Sequence, residues 1–248
     1  MILKELLQQS IVAGDIPPEL GLIEVSGLSS DSRYVEAGDL FFAKQGAQSH
    51  GLDFLPALIE KGVAAIIYED PQNNATAPLN IPALKVENID ALMRAVTFKF
   101  YEDLQSRIEL IGVTGTEGKT SVTQFIVKAF SGLNIDCGLI GTNGIGFMGN
   151  LKENTHTTPD LMALYQSLAE IDANDDVRVL ISGMLPIALE VTSHALDQKR
   201  VEGLAFETTV FTNLNRDHLD YHGTIEAYGE AKARLFLEYA QNNSVINI

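Results

Sequence analysis

The sequence predicts an α/β protein in which a small amino-terminal α/β domain precedes a P-loop-type domain with a mostly parallel sheet. Apolar, β-branched runs alternate with segments of helical periodicity along the chain, as in strand–helix–strand units. A glycine-rich loop at residues 112–120 separates one such strand from a helix, and the other polar clusters of the second half also follow predicted strands. Because parallel sheets bind ligands at the carboxyl ends of their strands, we expect a site there.

The first domain, residues 1–105, is predicted to consist of short elements. A helix over residues 2–12 ends before a Pro17-Pro18 turn, and a later turn leads into a strand ending at Ala43. Asn88 is a predicted N-cap. The other predictions are a helix over 54–61, a strand over 64–68, a loop over 71–82 and a helix over 88–104.

The second domain, residues 106–248, is predicted to carry the larger sheet. A glycine-rich loop is expected over residues 141–149. The pattern predicts helices at 119–132, 159–171 and 224–240, and strands at 108–113, 135–141, 177–182, 187–192, 208–213 and 244–248.

Composition restricts the class of protein. Lys and Arg number 17 against 33 Asp and Glu, and the net charge of −16 argues against nucleic acid or an anionic membrane as main partner. The single cysteine, Cys137, lies in an apolar run and is expected to be a core thiol rather than a nucleophile. The start lacks the apolar stretch of a secretory signal, and the most apolar window is shorter than the ~20 residues of a membrane span. We therefore expect a cytoplasmic monomer without membrane insertion.

The loop at residues 112–120 has the chemistry of a phosphate-binding loop. Its glycines let backbone N–H groups converge on phosphate oxygens, Lys119 supplies a movable cation, and the Thr120 hydroxyl can ligate Mg²⁺. The spacing is unusual, because Val113 stands where common P-loops have a glycine, five places before the Gly-Lys pair. A plain glycine-rich turn before a helix is the alternative.

Further polar clusters have both a chemical and a structural interpretation. The Thr-Thr-Pro-Asp run at 157–160 suits either a helix N-cap or an anion site. Glu190 ends an apolar run, and a buried carboxylate needs a cation, such as Mg²⁺ held by Thr120. The run at 216–222 is dense in ligand-type side chains but has the composition of a surface turn. Lys232 by itself would be a solvated lysine.

Together, several ordered motifs resemble the Mur ligase family. They are Gly-Val-Thr-Gly-Thr-x-Gly-Lys-Thr at 112–120, Glu-Val-Thr-Ser-His-Ala-Leu at 190–196, and Phe-Thr-Asn-Leu-x-Arg-Asp-His-Leu-Asp-Tyr-His-Gly at 211–223 with Ala231-Lys232. The amino-terminal run at 31–41 extends the resemblance along essentially the whole chain. It is closest to the members that add the third residue to UDP-N-acetylmuramoyl-L-alanyl-D-glutamate in peptidoglycan synthesis.

The resemblance implies an ADP-forming amide ligase that uses ATP and Mg²⁺. ATP would phosphorylate the terminal glutamyl carboxylate, and the amine of a diamino acid, meso-diaminopimelate or L-lysine, would attack the acyl phosphate. The implied catalytic residues are Lys119, His218 and Lys232, and the implied metal ligands are Thr120, Glu190, His218 and Lys232, with the Lys232 amine carried as a carbamate. The implied ATP-binding residues are Gly115, Thr116, Glu117, Gly118, Lys119, Thr120 and Ser121. The implied nucleotide-sugar-binding residues are Ser30, Ser32, Ala47, Gln48, Ser49, Thr157, Thr158, Thr192, Gln198 and Arg200.

Three departures from the family pattern qualify this expectation. Glu117 stands where the family usually has Asn, which places an acid beside the expected phosphates. The segment 177–189 is longer than usual and contains Pro186, so that Glu190 is at risk of displacement. Family members also continue further, so we expect a truncated form with a partial central domain and no carboxyl-terminal amino-acid-binding domain. The alternatives are a non-catalytic module that binds the UDP-sugar and ATP, and an unrelated P-loop kinase or ATPase.

Overall fold

The computed structural model describes residues 1–8, 16–46, 49–70, 80–174 and 177–247. The chain forms two compact units, Met1–Glu102 and Asp103–Ile248. The roles that the sequence suggests for the two parts, nucleotide-sugar binding and ATP binding, remain predictions.

Unit 1 is an α/β unit whose described strands form one parallel sheet. The strands are β1 (Gly27–Ser29), β2 (Asp39–Ala43), β3 (Ala65–Tyr68) and β4 (Ala83–Lys85), and they lie in that order. The helices are α1 (Leu3–Leu7), α2 (Pro18–Gly21), α3 (Leu55–Lys61) and α4 (Ile89–Phe100). The predicted N-cap is confirmed, because the side chain of Asn88 accepts a hydrogen bond from the N–H of Ala91 at 3.0 Å.

Unit 2 contains the larger sheet, and the predicted α/β class is confirmed. Its strands are β5 (Ile108–Thr114), β6 (Gly138–Gly141), β7 (Gly144–Phe147), β8 (Asn150–Lys152), β9 (Leu185–Glu190), β10 (Phe206–Phe211) and β11 (Ala240–Ile246). Its helices are α5 (Lys119–Gly132), α6 (Leu161–Asp172), α7 (Ser193–Asp197), α8 (Leu219–His222) and α9 (Ile225–Leu237). The strand order is β11-β10-β5-β9-β6-β7-β8, and only the pairings of β7 with β6 and β8 are antiparallel among those described.

The register brings the carboxyl ends of the central strands to one edge. Val113 of β5 lies beside Glu190 of β9, and Thr114 lies beside Phe211 of β10. Strand β9 is buried at every position, as expected for a strand covered on both faces of a parallel sheet. The loops that follow β5, β6, β9 and β10 therefore meet at this edge.

The predicted strand at 177–182 is wrong. Residues 180–184 form a tight turn instead, in which the N–H of Leu180 donates to the carbonyl of Met184, and Ile181 is fully exposed. The strand begins at Leu185 and contains Pro186. The N–H of Leu185 points to Arg107 on the β5 side, so the nitrogen of Pro186 faces β6, which pairs only from Ile187 onward. Proline is tolerated there because no ladder bond is lost.

Other differences concern the ends of elements and the glycine-rich segment. Residues 141–149 were expected to form a loop, but they contain β7, which pairs with β6 and β8 as antiparallel strands. Helix α9 ends at Leu237 rather than at residue 240, and α4 ends at Phe100 rather than at residue 104. The predicted helix over 2–12 is observed over Leu3–Leu7, and residues 9–15 lie outside the described part, as do residues 71–79 of the predicted loop. No helix in the described residues is both long and apolar enough to cross a membrane.

Candidate functional site

The predicted phosphate loop connects β5 to α5 at the carboxyl edge of the unit 2 sheet. Gly118 is the N-cap of α5 with φ 79°, and Gly115 has φ 146°. A Cβ atom on Gly115 would lie 1.9 Å from Oγ1 of Thr212, so this position needs glycine both for its backbone angle and for space. The first N–H groups of α5 have no acceptor within the helix, which makes this terminus suitable for an anion.

The segment after β10 anchors the loop through the peptide groups of Glu117. The N–H of Glu117 donates to Oδ1 of Asn213 at 3.0 Å, and its carbonyl accepts from Oγ1 of Thr212 at 2.6 Å and from Nδ2 of Asn213 at 3.2 Å. The hydroxyl of Tyr228 also donates to Oγ1 of Thr116 at 3.3 Å. The side chain of Glu117 is exposed, so the loop is held by backbone groups while the unusual carboxylate faces solvent.

Two lysines that the sequence predicts to be catalytic converge on a single carbonyl. Nζ of Lys119 donates to the carbonyl of Gly115 at 3.0 Å and to that of Thr116 at 2.9 Å, and Nζ of Lys232 donates to Gly115 at 2.8 Å. Lys232 is only 2% exposed, and its ammonium lies 4.3 Å from the ring centroid of Tyr228. Lys232 is therefore not a solvated lysine.

Both lysines have a lowered pKa. Burial, together with the neighbouring Lys119, lowers the pKa of Lys232 to about 7. Burial also lowers the pKa of Lys119, against the opposing attraction of Glu190 and Asp217. An anion bound at the loop would relieve this repulsion between two cations.

Glu190 lies on the other side of the loop and is not displaced by the longer segment before it. Its Oε2 accepts a hydrogen bond from Oγ1 of Thr120 at 2.9 Å. Thr142 supplies the other donors, because its N–H donates to Oε1 at 3.0 Å and its hydroxyl donates to Oε2 at 3.2 Å. The carboxylate is 1% exposed and lies against Gly141, where a Cβ atom would be 2.2 Å from Oε1.

This arrangement fits a hard divalent cation such as Mg²⁺. The hydroxyl hydrogen of Thr120 is donated to Glu190, which leaves the oxygen lone pairs of Thr120 free for a cation. One carboxylate and one hydroxyl, completed by phosphate oxygens and water, is a usual Mg²⁺ environment. In the described part of the chain, no three His, Cys, Asp or Glu side chains cluster as a metal site on their own. The protein ligands near the loop would therefore be Thr120 and Glu190.

The predicted substrate residues of unit 2 lie together around Thr158. The helix cap at this point is Asp160, whose Oδ1 accepts from the N–H of Ala163 at 3.0 Å, so neither threonine before it serves as the cap. Oγ1 of Thr158 donates to the carbonyl of Glu190 at 2.8 Å and accepts from the N–H of Thr192 at 3.1 Å. Nη1 of Arg200 donates to the carbonyl of Thr158 at 2.8 Å.

Two more members of this group have their own contacts. Oγ1 of Thr157 is 3.0 Å from Oγ1 of Thr142. The guanidinium of Arg200 donates twice to Oε1 of Gln198, at 2.9 and 2.6 Å.

His218 belongs to a cluster of rings formed by α7, α8 and α9. Its ring centroid is 4.8 Å from that of His194 and 6.0 Å from that of Tyr228. His194 also contacts Tyr221 at 4.3 Å and His222 at 5.5 Å. Desolvation, followed by the neighbouring His218, lowers the pKa of His194. The contacts of His218 are thus with other aromatic side chains. Its role as a second metal ligand stays a prediction.

The predicted substrate residues of unit 1 lie after β1 and before α3. Ser30 follows β1 directly, and Ser32 lies in the next turn, where its carbonyl accepts from Nζ of Lys61 at 2.9 Å. The carbonyl of Ser49 accepts from the N–H of Gly46 at 2.9 Å. Ala47 and Gln48 lie outside the described residues.

Sequence reasoning missed Thr142, Asn213 and Tyr228 as site residues. Thr142 and Asn213 each come shortly after a strand of the parallel sheet, in segments that the rule on carboxyl ends includes, but no sequence pattern assigned these two side chains a role of their own. Tyr228 had no such signal, because its position in the middle of α9 is that of an ordinary core residue.

Comparison with known proteins identifies relatives for both units. A model of the Mur ligase middle domain matches residues 113–248, and a model described as the Mur ligase family, catalytic domain, matches residues 24–101. UDP-N-acetylmuramoyl-L-alanyl-D-glutamate–2,6-diaminopimelate ligases of Coxiella burnetii and Pseudomonas aeruginosa are 42% and 43% identical over 223 and 221 residues. These matches cover 90% and 89% of this chain but 44% of each relative, so the chain spans less than half of their length. A solved structure of a ligase with the same name matches with a TM-score of 0.69 at 30% identity, over 100% of this chain and 47% of that one.

Proposed function

Because the chain belongs to the Mur ligase family, we propose that it binds Mg²⁺-ATP and UDP-N-acetylmuramoyl-L-alanyl-D-glutamate. With these ligands it would take part in ADP-forming ligation of the third amino acid, the MurE reaction. The relatives carry 2,6-diaminopimelate in their names, which favours this diamino acid over L-lysine. ATP and the UDP-sugar are cytoplasmic metabolites, so the proposal places the protein in the cytoplasm. We propose that it acts there as a monomer.

One observation carries the proposal. The hydroxyl of Thr120, at the start of the helix after the phosphate loop, lies 2.9 Å from the buried carboxylate of Glu190. A buried carboxylate is strongly disfavoured unless donors or a cation compensate its charge. A triphosphate held by the N–H groups of the loop would deliver a cation to this point.

The residues around the loop would bind Mg²⁺ and the phosphates during phosphoryl transfer. When bound, Mg²⁺ would neutralise charge between the triphosphate and the carboxylate that it phosphorylates. Thr120 and Glu190 would hold the ion, while Lys119 would leave the carbonyl of Gly115 and bind phosphate oxygens. This chemistry depends on positioning and charge compensation more than on acid–base groups.

The environment of Lys232 supports its conversion to a carbamate. Only a neutral amine reacts with CO₂, and a pKa of about 7 leaves a large neutral fraction at neutral pH. The reaction joins the amine nitrogen to the carbon of CO₂ and releases one proton. The resulting anion beside Lys119 would replace a repulsion between cations by an attraction.

Substrate binding in unit 2 is assigned to the group around Thr158. The rigid, bidentate guanidinium of Arg200 suits a carboxylate or phosphate. Its hydrogen bonds to Gln198 and Thr158 fix its orientation. Thr157, Thr158 and Thr192 add hydroxyl groups beside Glu190. The dipeptide end of the nucleotide sugar is the part that would approach them, because its terminal carboxylate is the group to be phosphorylated.

Calorimetric titration of the chain tests the proposal. We expect a non-hydrolysable ATP analogue to bind more tightly with Mg²⁺ than with EDTA, and the UDP-sugar dipeptide to bind as well. Lys119→Met should weaken binding of the analogue about 10- to 100-fold, because it removes a charge-assisted bond to phosphate. Lys128→Met, which changes an exposed lysine of the same helix, is the matched control. Tight binding of the analogue without any binding of the sugar would contradict the proposed substrate.

Glu117 favours a second candidate function, in which the chain binds the UDP-sugar without hydrolysing ATP. Its exposed carboxylate stands beside the expected phosphates and would repel them. ADP release in the presence of the sugar dipeptide and 2,6-diaminopimelate separates the two candidates, since a binding module produces none.

A further inference from the structure

Thr142, which lies in the loop between β6 and β7, connects two groups that the proposed function uses separately. Its hydroxyl lies 3.2 Å from Oε2 of Glu190 on one side and 3.0 Å from Oγ1 of Thr157 on the other. Glu190 is the proposed Mg²⁺ ligand, and Thr157 is a proposed substrate residue. No other residue is seen to bridge these two side chains within the described part of the chain.

The hydrogen bonds of this bridge have a defined direction. A threonine hydroxyl carries a single hydrogen, and that of Thr142 is donated to the carboxylate of Glu190. The hydroxyl of Thr157 must then donate to Oγ1 of Thr142. The result is a chain from Thr157 through Thr142 to Oε2 of Glu190, in which each bond polarises the next.

Thr142 also fixes the orientation of the carboxylate. Its N–H holds Oε1 at 3.0 Å while its hydroxyl and that of Thr120 hold Oε2. The backbone of Gly141 closes the remaining side. Removing the Thr142 hydroxyl would leave Oε2 with one donor and would let the buried carboxylate rotate away from Thr120.

We infer that Thr142 is a positioning residue, which holds Oε2 of Glu190 for Mg²⁺ and transmits occupancy of Thr157 to it. The inference rests on the proposed function, because it concerns the same Mg²⁺-ATP site. Thr142 itself is exposed, so removing its hydroxyl changes few packing contacts and leaves the fold intact.

The test measures how much Mg²⁺ strengthens binding of a non-hydrolysable ATP analogue, as the ratio of the Kd in EDTA to the Kd in Mg²⁺. Thr142→Val removes the hydroxyl at nearly constant volume and should reduce this ratio about fivefold, with the Kd in EDTA unchanged. Thr142→Ser keeps the hydroxyl and should restore the ratio. Thr155→Val, an exposed threonine of the same segment, is the matched control and should leave the ratio unchanged.

A double-mutant cycle tests the connection to Thr157. Thr157→Val should reduce the ratio less than Thr142→Val does, and the double variant should equal Thr142→Val, because the outer bond acts only through Thr142. Equal ratios in the wild type and Thr142→Val overturn the inference while leaving the proposed function standing. If the double variant loses as much of the Kd ratio as the two single variants combined, Thr157 does not act through Thr142. If the wild type shows no gain from Mg²⁺, the proposed function fails and this inference falls with it.

Discussion

The glutamate side of the phosphate loop (Thr120, Thr142, Glu190) and its lysine side (Lys119, Lys232) satisfy their charges in opposite ways. On the glutamate side, neutral hydroxyl and N–H donors surround a buried anion. On the lysine side, two cations share the carbonyl of Gly115, and burial lowers the pKa of both. The anion is therefore preorganised by its donors, whereas the two cations would be stabilised only by a bound anion or by conversion of Lys232 to a carbamate.

Gly141→Ala should have the largest effect, because it breaks the glutamate side directly. The added methyl group would overlap with the buried Glu190 side chain and would force its carboxylate away from the donors of Thr120 and Thr142. We expect a loss of about 3 kcal/mol in the free energy of unfolding, measured by urea denaturation, together with loss of the Mg²⁺-dependent gain in ATP-analogue binding.

Gly132→Ala is the matched control for this substitution. Gly132 is the last residue of α5, and a Cβ atom there would meet nothing within 4 Å. The same chemical change should therefore be neutral or slightly stabilising. Equal unfolding free energies for Gly141→Ala and the wild type would show that Glu190 is not held as described.

Lys232→Met should change how the free energy of unfolding depends on pH, because burial lowers the pKa of Lys232. The pKa of Lys232 is about 7 in the folded chain but about 10.4 when unfolded. The unfolded chain binds more protons between these values, so wild-type stability should rise with pH across this window. The variant lacks this contribution, and its stability relative to the wild type should fall by on the order of 2 kcal/mol from pH 6 to pH 9.

The measurement is urea denaturation of both proteins over that pH range in CO₂-free buffer, which keeps the amine unmodified. Lys128→Met serves as the control, because it removes an exposed lysine of the same unit without changing the buried site. If the difference in unfolding free energy between Lys232→Met and the wild type did not change with pH, burial would not lower the pKa of Lys232.

Glu117→Asn should have the smallest effect of these substitutions, because it changes an exposed side chain beside the expected phosphates. The loop is held by the peptide groups of Glu117, not by its side chain, so the substitution should leave the fold unchanged. Removing an exposed negative charge beside the phosphates should strengthen binding of the ATP analogue about threefold at low salt. The gain should shrink at high salt, because exposed charges are screened. Unchanged affinity at low salt would contradict a repulsive role for Glu117.

Much of the fold followed from local pattern. The alternation of apolar runs and helical periodicity predicted α5 at its observed bounds, and β5 and β10 within a few residues. The error at 177–182 had a physical cause, since two of the four apolar residues there, Val179 and Ile181, are exposed in the structure. Hydrophobicity alone could not distinguish them from a buried strand. The hairpin of β7 and β8 was missed because its glycines have the composition of a loop.

In the candidate site, too, some features follow from local sequence pattern and others do not. The positions of Lys119 and Thr120 at the start of a helix, and of Glu190 at the end of a strand, could be predicted from the sequence, because hydrophobic period and turn chemistry are local properties. Three-dimensional packing sets the remaining features: Glu190 lies 2.9 Å from Thr120, Lys232 shares a carbonyl with Lys119, and Thr142 completes the donor set. Strand register and helix packing create these contacts between residues 48 to 117 positions apart, and no local pattern encodes them.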